Sequence, residues 1–154
     1  MLSGKEIEEI DREIVKFPQK RAACIEAMKI VQKQRGWISD ESLKDIANHL
    51  EMSVHELDSV ATYYNLIFRK PVGRNIIHVC DSVTCYMMGC NKIIRLLKES
   101  LKIDLGETTA DNRFTLLPNS CMGLCDKPPA IMINEDIHVN VSESALSDLL
   151  NNYR

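Results

Sequence analysis

Residues 68 to 90 read FRKPVGRNIIHVCDSVTCYMMGC. Before this stretch apolar residues recur at helical spacing. Within it Pro71 and Gly73 break that pattern, and the chain passes into NIIHVC, a short β-rich run from Asn75 to Cys80. From Gly89 to Leu101 the helical period returns with Ile93, Ile94, Leu96, Leu97 and Leu101. A strand is therefore followed by a helix, and Cys80, Cys85 and Cys90 punctuate the passage between them at two equal C-x4-C spacings.

Working outward toward the start, the chain reads as four helices. Ser3-x-x-Glu6 forms a capping box ahead of Ile7, Ile10 and Ile14, with Pro18 beyond the end. A second helix is expected from about Gln19, carrying Cys24, Ala27, Met28 and Val31 on one face, which makes Cys24 a small core residue. Gly36 and Trp37 interrupt the pattern, and Ser39 caps a third helix with Leu43, Ile46, Ala47 and Leu50. Ser53-x-x-Glu56 opens the fourth, whose stripe is Leu57, Val60, Ala61 and Tyr64. Trp37, Tyr63 and Tyr64 are read as bundle core in preference to a docking surface.

Toward the end, RFTLLP from Arg113 predicts a second strand. AIMIN and IHVNV flank Glu135-Asp136 as a hairpin, and Ser142 caps a last helix with Ala145, Leu146, Leu149 and Leu150. The order is βαβ followed by ββα. A right-handed crossover makes the first two strands parallel, and the hairpin completes a four-stranded mixed sheet of thioredoxin-like order. The fold class is α+β, with an N-terminal four-helix region at residues 1–74 and a thioredoxin-like domain at 75–154.

Composition narrows the function. A net charge of -3 argues against a nucleic-acid surface, which needs a concentrated basic face, and Arg69-Lys70 with Arg74 is too short a cluster to supply one. Met1 to Ile10 alternates charge with single apolar residues, unlike a secretory signal, so the chain is expected to be intracellular. No run approaches the roughly 20 apolar residues of a membrane span, so direct membrane insertion is not expected. In a reducing compartment the six cysteines point to metal binding or redox chemistry ahead of structural disulfides. A thioredoxin-type catalytic pair would need C-x-x-C, a spacing no two of them have.

Cys80 and Cys85 follow the first predicted strand, and Cys121 and Cys125 the second, with 35 residues between the two pairs. Parallel neighbours end on the same side of a sheet, where open α/β folds place their ligands, so four thiolates can converge there. Cys90, at the start of the helix, is read as a packing thiol, as is Cys24. Four thiolates suit tetrahedral zinc or a 2Fe-2S cluster. The wide C-x4-C spacing leans toward the cluster, since zinc ribbons usually present C-x2-C knuckles.

Four stretches, RAACIEAMKIVQKQRGWIS, VATYYNLIFRKPVGR, CDSVTC and RFTLLPNSCMGLCDKPP, resemble in content and order the thioredoxin-like 2Fe-2S subunit of bacterial NADH:quinone oxidoreductase, respiratory complex I. The resemblance covers nearly the whole chain. It implies one 2Fe-2S cluster on Cys80, Cys85, Cys121 and Cys125, with no ligand at Cys90. It also implies an electron-transfer role in which FMN and NADH are bound by a flavin-bearing NADH-oxidising partner, with a larger iron-sulfur subunit nearby. The expected location is then cytoplasmic, peripheral to the inner membrane through the complex. Ser120 and Pro128-Pro129 depart from the commoner loop residues of that family.

The remaining candidates carry less. His78 and His138 alternate along strands and read as packing or surface residues, with no catalytic role assigned. Lys127 reads as a solvated loop lysine. No dinucleotide or P-loop motif is present, so the chain is expected to be an electron carrier without its own substrate site. Three further readings stand beside complex I: the equivalent diaphorase subunit of an NAD-linked hydrogenase or formate dehydrogenase, a zinc-stabilised interaction module, and a thiol oxidoreductase.

Overall fold

The structure, a computed structural model, describes residues 1–153. The chain forms two compact units, Met1–Pro71 and a second beginning at Val72.

The first unit holds α1 (Gly4–Ile14), α2 (Cys24–Arg35), α3 (Asp40–His49) and α4 (Val54–Tyr63). Serines start three of them. Ser3 and Ser53 complete capping boxes with Glu6 and Glu56, and the Ser39 hydroxyl accepts from the Ser42 N-H. The apolar stripes of these helices meet in one core of Ile10, Met28, Val31, Leu43, Ile46, Leu50 and Leu57, each no more than 1% exposed. Burial of each large side chain stabilises the unit by about 1.5–3 kcal/mol, which is what holds helices of only 10 to 12 residues.

Two expectations change here. The turn around Gln19 is not α-helix but a single 3-10 turn, Lys20–Ala23, and α2 starts at Cys24. Cys24 accordingly sits at the rim of the core, partly buried, and not inside it. The aromatic residues read as core are outside it: Trp37 is half-buried, and Tyr63 and Tyr64 are exposed and stacked edge-on at 5.2 Å. Tyr63 falls on the side of α4 opposite Leu57 and Ala61, and Tyr64 lies where the helix has already ended.

The second unit contains β1 (Asn75–Cys80), α5 (Val83–Met87), α6 (Cys90–Leu101), β2 (Phe114–Asn119), β3 (Ile131–Ile133), β4 (Asp136–His138) and α7 (Glu143–Asn151). The sheet order is β2-β1-β3-β4, with β1 and β2 parallel and the other pairs antiparallel. Ile77 and Val79 of β1, Leu116 of β2 and Ile131 and Ile133 of β3 pack with Ile93 and Leu97 of α6 and Leu146 and Leu150 of α7. The mixed four-stranded sheet read from the sequence is thus present.

Three details differ. The five-residue α5 has too few residues to show a period in sequence. The hairpin turn is Asn134-Glu135 and not Glu135-Asp136, because Asp136 already pairs with Ile133, and β4 ends at His138 instead of running through Val139-Asn140-Val141. Asn134 takes the positive φ of 56° that a two-residue hairpin turn requires. Ala145 is exposed, leaving Leu146 and Leu150 as the buried face of α7.

Candidate metal centre

Cys80 is the last residue of β1, and hydrogen bonds tie the chain on both sides of it. Its N-H donates to Ala130 O at 3.2 Å, and the Asp81 N-H donates to Asn119 O at 3.1 Å. The parallel register sets Cys80 beside Asn119, two residues before Cys121, so the loops that follow β1 and β2 leave the sheet side by side.

The first loop turns at once into α5, which carries Cys85. Cys80 and Cys85 are each 2% exposed and pack with Cys90 and Ala130, beside Ile94, Met122, Leu124 and Val139. The second loop presents Cys121 and Cys125 outward, both exposed, with their sulfurs 3.4 Å apart. The site is therefore two pairs of thiols, one buried and one open.

Electrostatics follow that division. Burial pushes the Cys85 thiol up to about 11, with the neighbouring Cys80 adding to the rise while backbone hydrogen bonding from Ala130 opposes it. Cys121 is lowered, first by the Gly123 N-H that donates to its sulfur at 3.3 Å and then by Cys125. Cys125 is raised by its hydrogen bond to Cys121 and by that neighbour's charge, while the Thr84 hydroxyl of α5 works to lower it. Cys80 also acts on Cys125 through its charge. Thr84 thus links the helix after β1 to the loop after β2, a contact that nothing in the sequence pattern of CDSVTC distinguishes from an ordinary helical threonine.

The other sequence candidates lie as follows. Cys90 opens α6 behind the left-handed Gly89 (φ 92°), is fully buried, and has its thiol raised by burial and then by Cys80 and Asp81. Cys24 opens α2 in the first unit. His78 is buried within β1, and burial depresses its pKa. His138 Nε2 is 2.9 Å from the Tyr153 hydroxyl, which donates to Asp136 Oδ2 at 2.8 Å, so this histidine belongs to the anchoring of the chain after α7. Lys127 is exposed, and its backbone N-H closes the loop after β2 on Leu124 O at 3.1 Å. Among the described residues no three His, Cys, Asp or Glu side chains gather around a single metal-ion position.

Comparison with known proteins gives this geometry a context. Residues 10–154 match the family model for thioredoxin-like [2Fe-2S] ferredoxins. A protein of Buchnera aphidicola subsp. Acyrthosiphon pisum, named as a subunit of NADH-quinone oxidoreductase, is 48% identical over 99% of this chain and 94% of its own length. Its namesake in Escherichia coli K12 is 47% identical over 99% of this chain and 92% of its own length. Among solved structures, an NAD+-reducing [NiFe]-hydrogenase in the air-oxidized state superimposes on 82% of this chain with a TM-score of 0.69. At 23% identity, and with only 22% of that chain covered, this is a likeness of fold. The match across residues 10–154, carried by relatives aligned almost end to end, places the chain in the thioredoxin-like [2Fe-2S] ferredoxin family.

Proposed function

We infer that the chain is an electron-transfer subunit of an NADH:quinone oxidoreductase and that Cys80, Cys85, Cys121 and Cys125 hold its single 2Fe-2S cluster. The observation that carries the ligand set is the pairing of the thiols at the ends of two adjacent parallel strands. A 2Fe-2S rhomb takes two thiolates at each iron, so it calls for two neighbouring pairs and not for four sulfurs around one point. The donor set is soft and wholly sulfur, which suits that cluster.

When bound, such a cluster supplies one-electron transfer. The chain's own part is to set the cost of the added charge. The Gly123 N-H at Cys121, backbone hydrogen bonding from Ala130 at Cys85 and the Thr84 hydroxyl at Cys125 each place a positive dipole end on sulfur, favouring the more negative, reduced state. Burial of Cys80 and Cys85 acts in the opposite direction, since a dry site penalises charge.

The electrons enter through another protein. The family resemblance supplies that partner as a flavin-bearing, NADH-oxidising subunit, with a larger iron-sulfur subunit as neighbour. No helix among the described residues is long and apolar enough to cross a membrane, and attachment at the inner-membrane surface runs through the complex. The curated relatives at 48% and 47% identity are named as quinone oxidoreductase subunits, whereas the hydrogenase likeness is one of fold, so a hydrogenase or formate dehydrogenase role is not favoured.

The test is metal and sulfide analysis of the full chain isolated anaerobically. The expected result is about two iron and two sulfide per chain, with an EPR signal after dithionite reduction. NADH alone should leave the chain oxidised and should reduce it once the flavoprotein is added. A colourless protein holding one zinc would overturn the cluster.

A further inference from the structure

The four proposed ligands differ sharply in access. Cys80 and Cys85 are 2% exposed and Cys90 is fully buried, whereas Cys121 and Cys125 are exposed and face each other at 3.4 Å between sulfurs. A disulfide needs about 2.0 Å, so closure asks for a shift of roughly 1.4 Å within a five-residue loop. The loop has room for it: Gly123 stands midway at φ 78° with open space where a side chain would be. The Gly123 N-H already points at Cys121 Sγ, the arrangement that favours the nucleophilic form of a sulfur.

We propose that in the metal-free chain Cys121 and Cys125 form a redox-active dithiol, which peroxide closes to a disulfide and which must be reopened before the site can be loaded. The Cys121 thiolate attacks the peroxide O-O bond, giving a sulfenic acid and, after protonation of the departing hydroxide, one water. The Cys125 thiolate then attacks the Cys121 sulfur, the S-O bond breaks, and a second water leaves. Two thiols and one hydrogen peroxide thus become one disulfide and two waters, with both electrons supplied by the sulfur pair. The buried pair is shielded from the same oxidant, so damage is directed to the loop from which a thiol reductant can reverse it. Only the consequence for loading rests on the cluster reading above; the dithiol itself stands on exposure and distance.

The experiment uses the full chain, stripped of metal with a chelator under anaerobic conditions and fully reduced. Iodoacetamide without denaturant should label Cys121 and Cys125 and spare Cys80, Cys85 and Cys90. Uniform labelling would overturn the difference in access from which the proposal starts. In a separate, unlabelled sample, one equivalent of hydrogen peroxide should lower the titratable thiols from six to four. The tryptic peptide beginning at Phe114, which carries both cysteines, should become lighter by two hydrogens and resist alkylation. In Cys125→Ser the oxidation should stop at a Cys121 sulfenic acid that dimedone captures. A Cys80–Cys85 disulfide, or sulfinic acid at Cys121 with Cys125 still free, would overturn the assignment. Reconstitution of the oxidised chain with iron and sulfide should fail until dithiothreitol is added; equal loading with and without the reductant would overturn the gate. Because the mapping uses no iron, a chain that forms this disulfide yet takes up only zinc would refute the cluster and leave the dithiol standing.

Discussion

Arg35 grips Glu6 with one edge of its guanidinium, Nη2 at 2.6 Å from Oε2 and Nε at 2.7 Å from Oε1, joining the end of α2 to the start of α1. Glu6 is 2% exposed and also accepts from the Ser3 N-H, so its charge is buried but satisfied. The Arg35 hydrogen bond outweighs burial and holds the Glu6 carboxyl at about 2, against an ordinary 4.5. A depressed carboxyl stabilises the fold above its unfolded pKa, and the contribution, about 3 kcal/mol, is lost as pH falls from 4.5 toward 2. Replacing Arg35 with Met strands the carboxylate and should cost about 3–5 kcal/mol at neutral pH. Trp37, the single tryptophan, reports this unit by fluorescence. The acid unfolding midpoint of Arg35→Met should move upward; an unchanged midpoint would show that the pair contributes nothing.

Gly73 is constrained by neighbouring backbone. A β-carbon there would stand 3.0 Å from both the N and C atoms of Phe114, while its N-H donates to the buried Thr115 hydroxyl at 2.6 Å. Backbone in a paired strand cannot swing aside as a flexible side chain would. Gly73→Ala should therefore destabilise the second unit by about 1–3 kcal/mol. Gly4→Ala, where the added carbon meets nothing, provides the matched control. Thermal melts in which both variants shift equally would contradict the close approach.

What could be read from the sequence was whatever is encoded within a few residues. Ser3, Ser39, Ser53 and Ser142 stand at their helix starts because a hydroxyl two or three positions ahead of a free N-H is a local arrangement. The β-branched run ending at Cys80 and the change of period at Gly73 likewise located β1, which puts Cys80 at the end of that strand and Cys85 in the segment after it. Long-range partners were not legible: Arg35 and Glu6 are 29 residues apart, and the Tyr153–Asp136 bond spans 17. Nor was the unequal exposure of the four thiols, because C-x4-C and C-x3-C spacings do not say which loop folds inward. The aromatic residues misled for a different reason. Tyr63 and Tyr64 are large and apolar enough for a core, but the helical phase turns Tyr63 away from Leu57 and Ala61, and Tyr64 caps α4 after its last turn.

Cys90 tests the boundary of the site. It is fully buried against Cys80 and Cys85, yet it opens α6 instead of belonging to either loop end, and it is expected to pack without binding iron. Cys90→Ala removes one buried sulfur and should lower stability by about 1 kcal/mol through lost contacts. Iron and sulfide per chain should remain at the wild-type level. Loss of iron in proportion to the thiol removed would make Cys90 a ligand and require one of the other four to be released from that role.

The buried and open thiols also predict different consequences for two replacements that should look alike by iron analysis. Cys80→Ala and Cys121→Ala each delete a proposed ligand, so both should lose most cluster and its EPR signal. Their apoproteins should diverge. Cys80 packs at the sheet end with Cys85 of α5, Cys90 of α6 and Ala130, so its truncation empties buried space that these neighbours cannot readily fill, at a cost of about 1–2 kcal/mol. Cys121 lies exposed on a loop, and its truncation removes contacts that water replaces, leaving stability within about 0.5 kcal/mol of the metal-free wild type. Urea unfolding of the three metal-free chains, followed by circular dichroism, measures the difference directly. Equal midpoints for the two variants would mean that the buried pair is no better packed than the open one, and the division of the site would fail on energetic grounds.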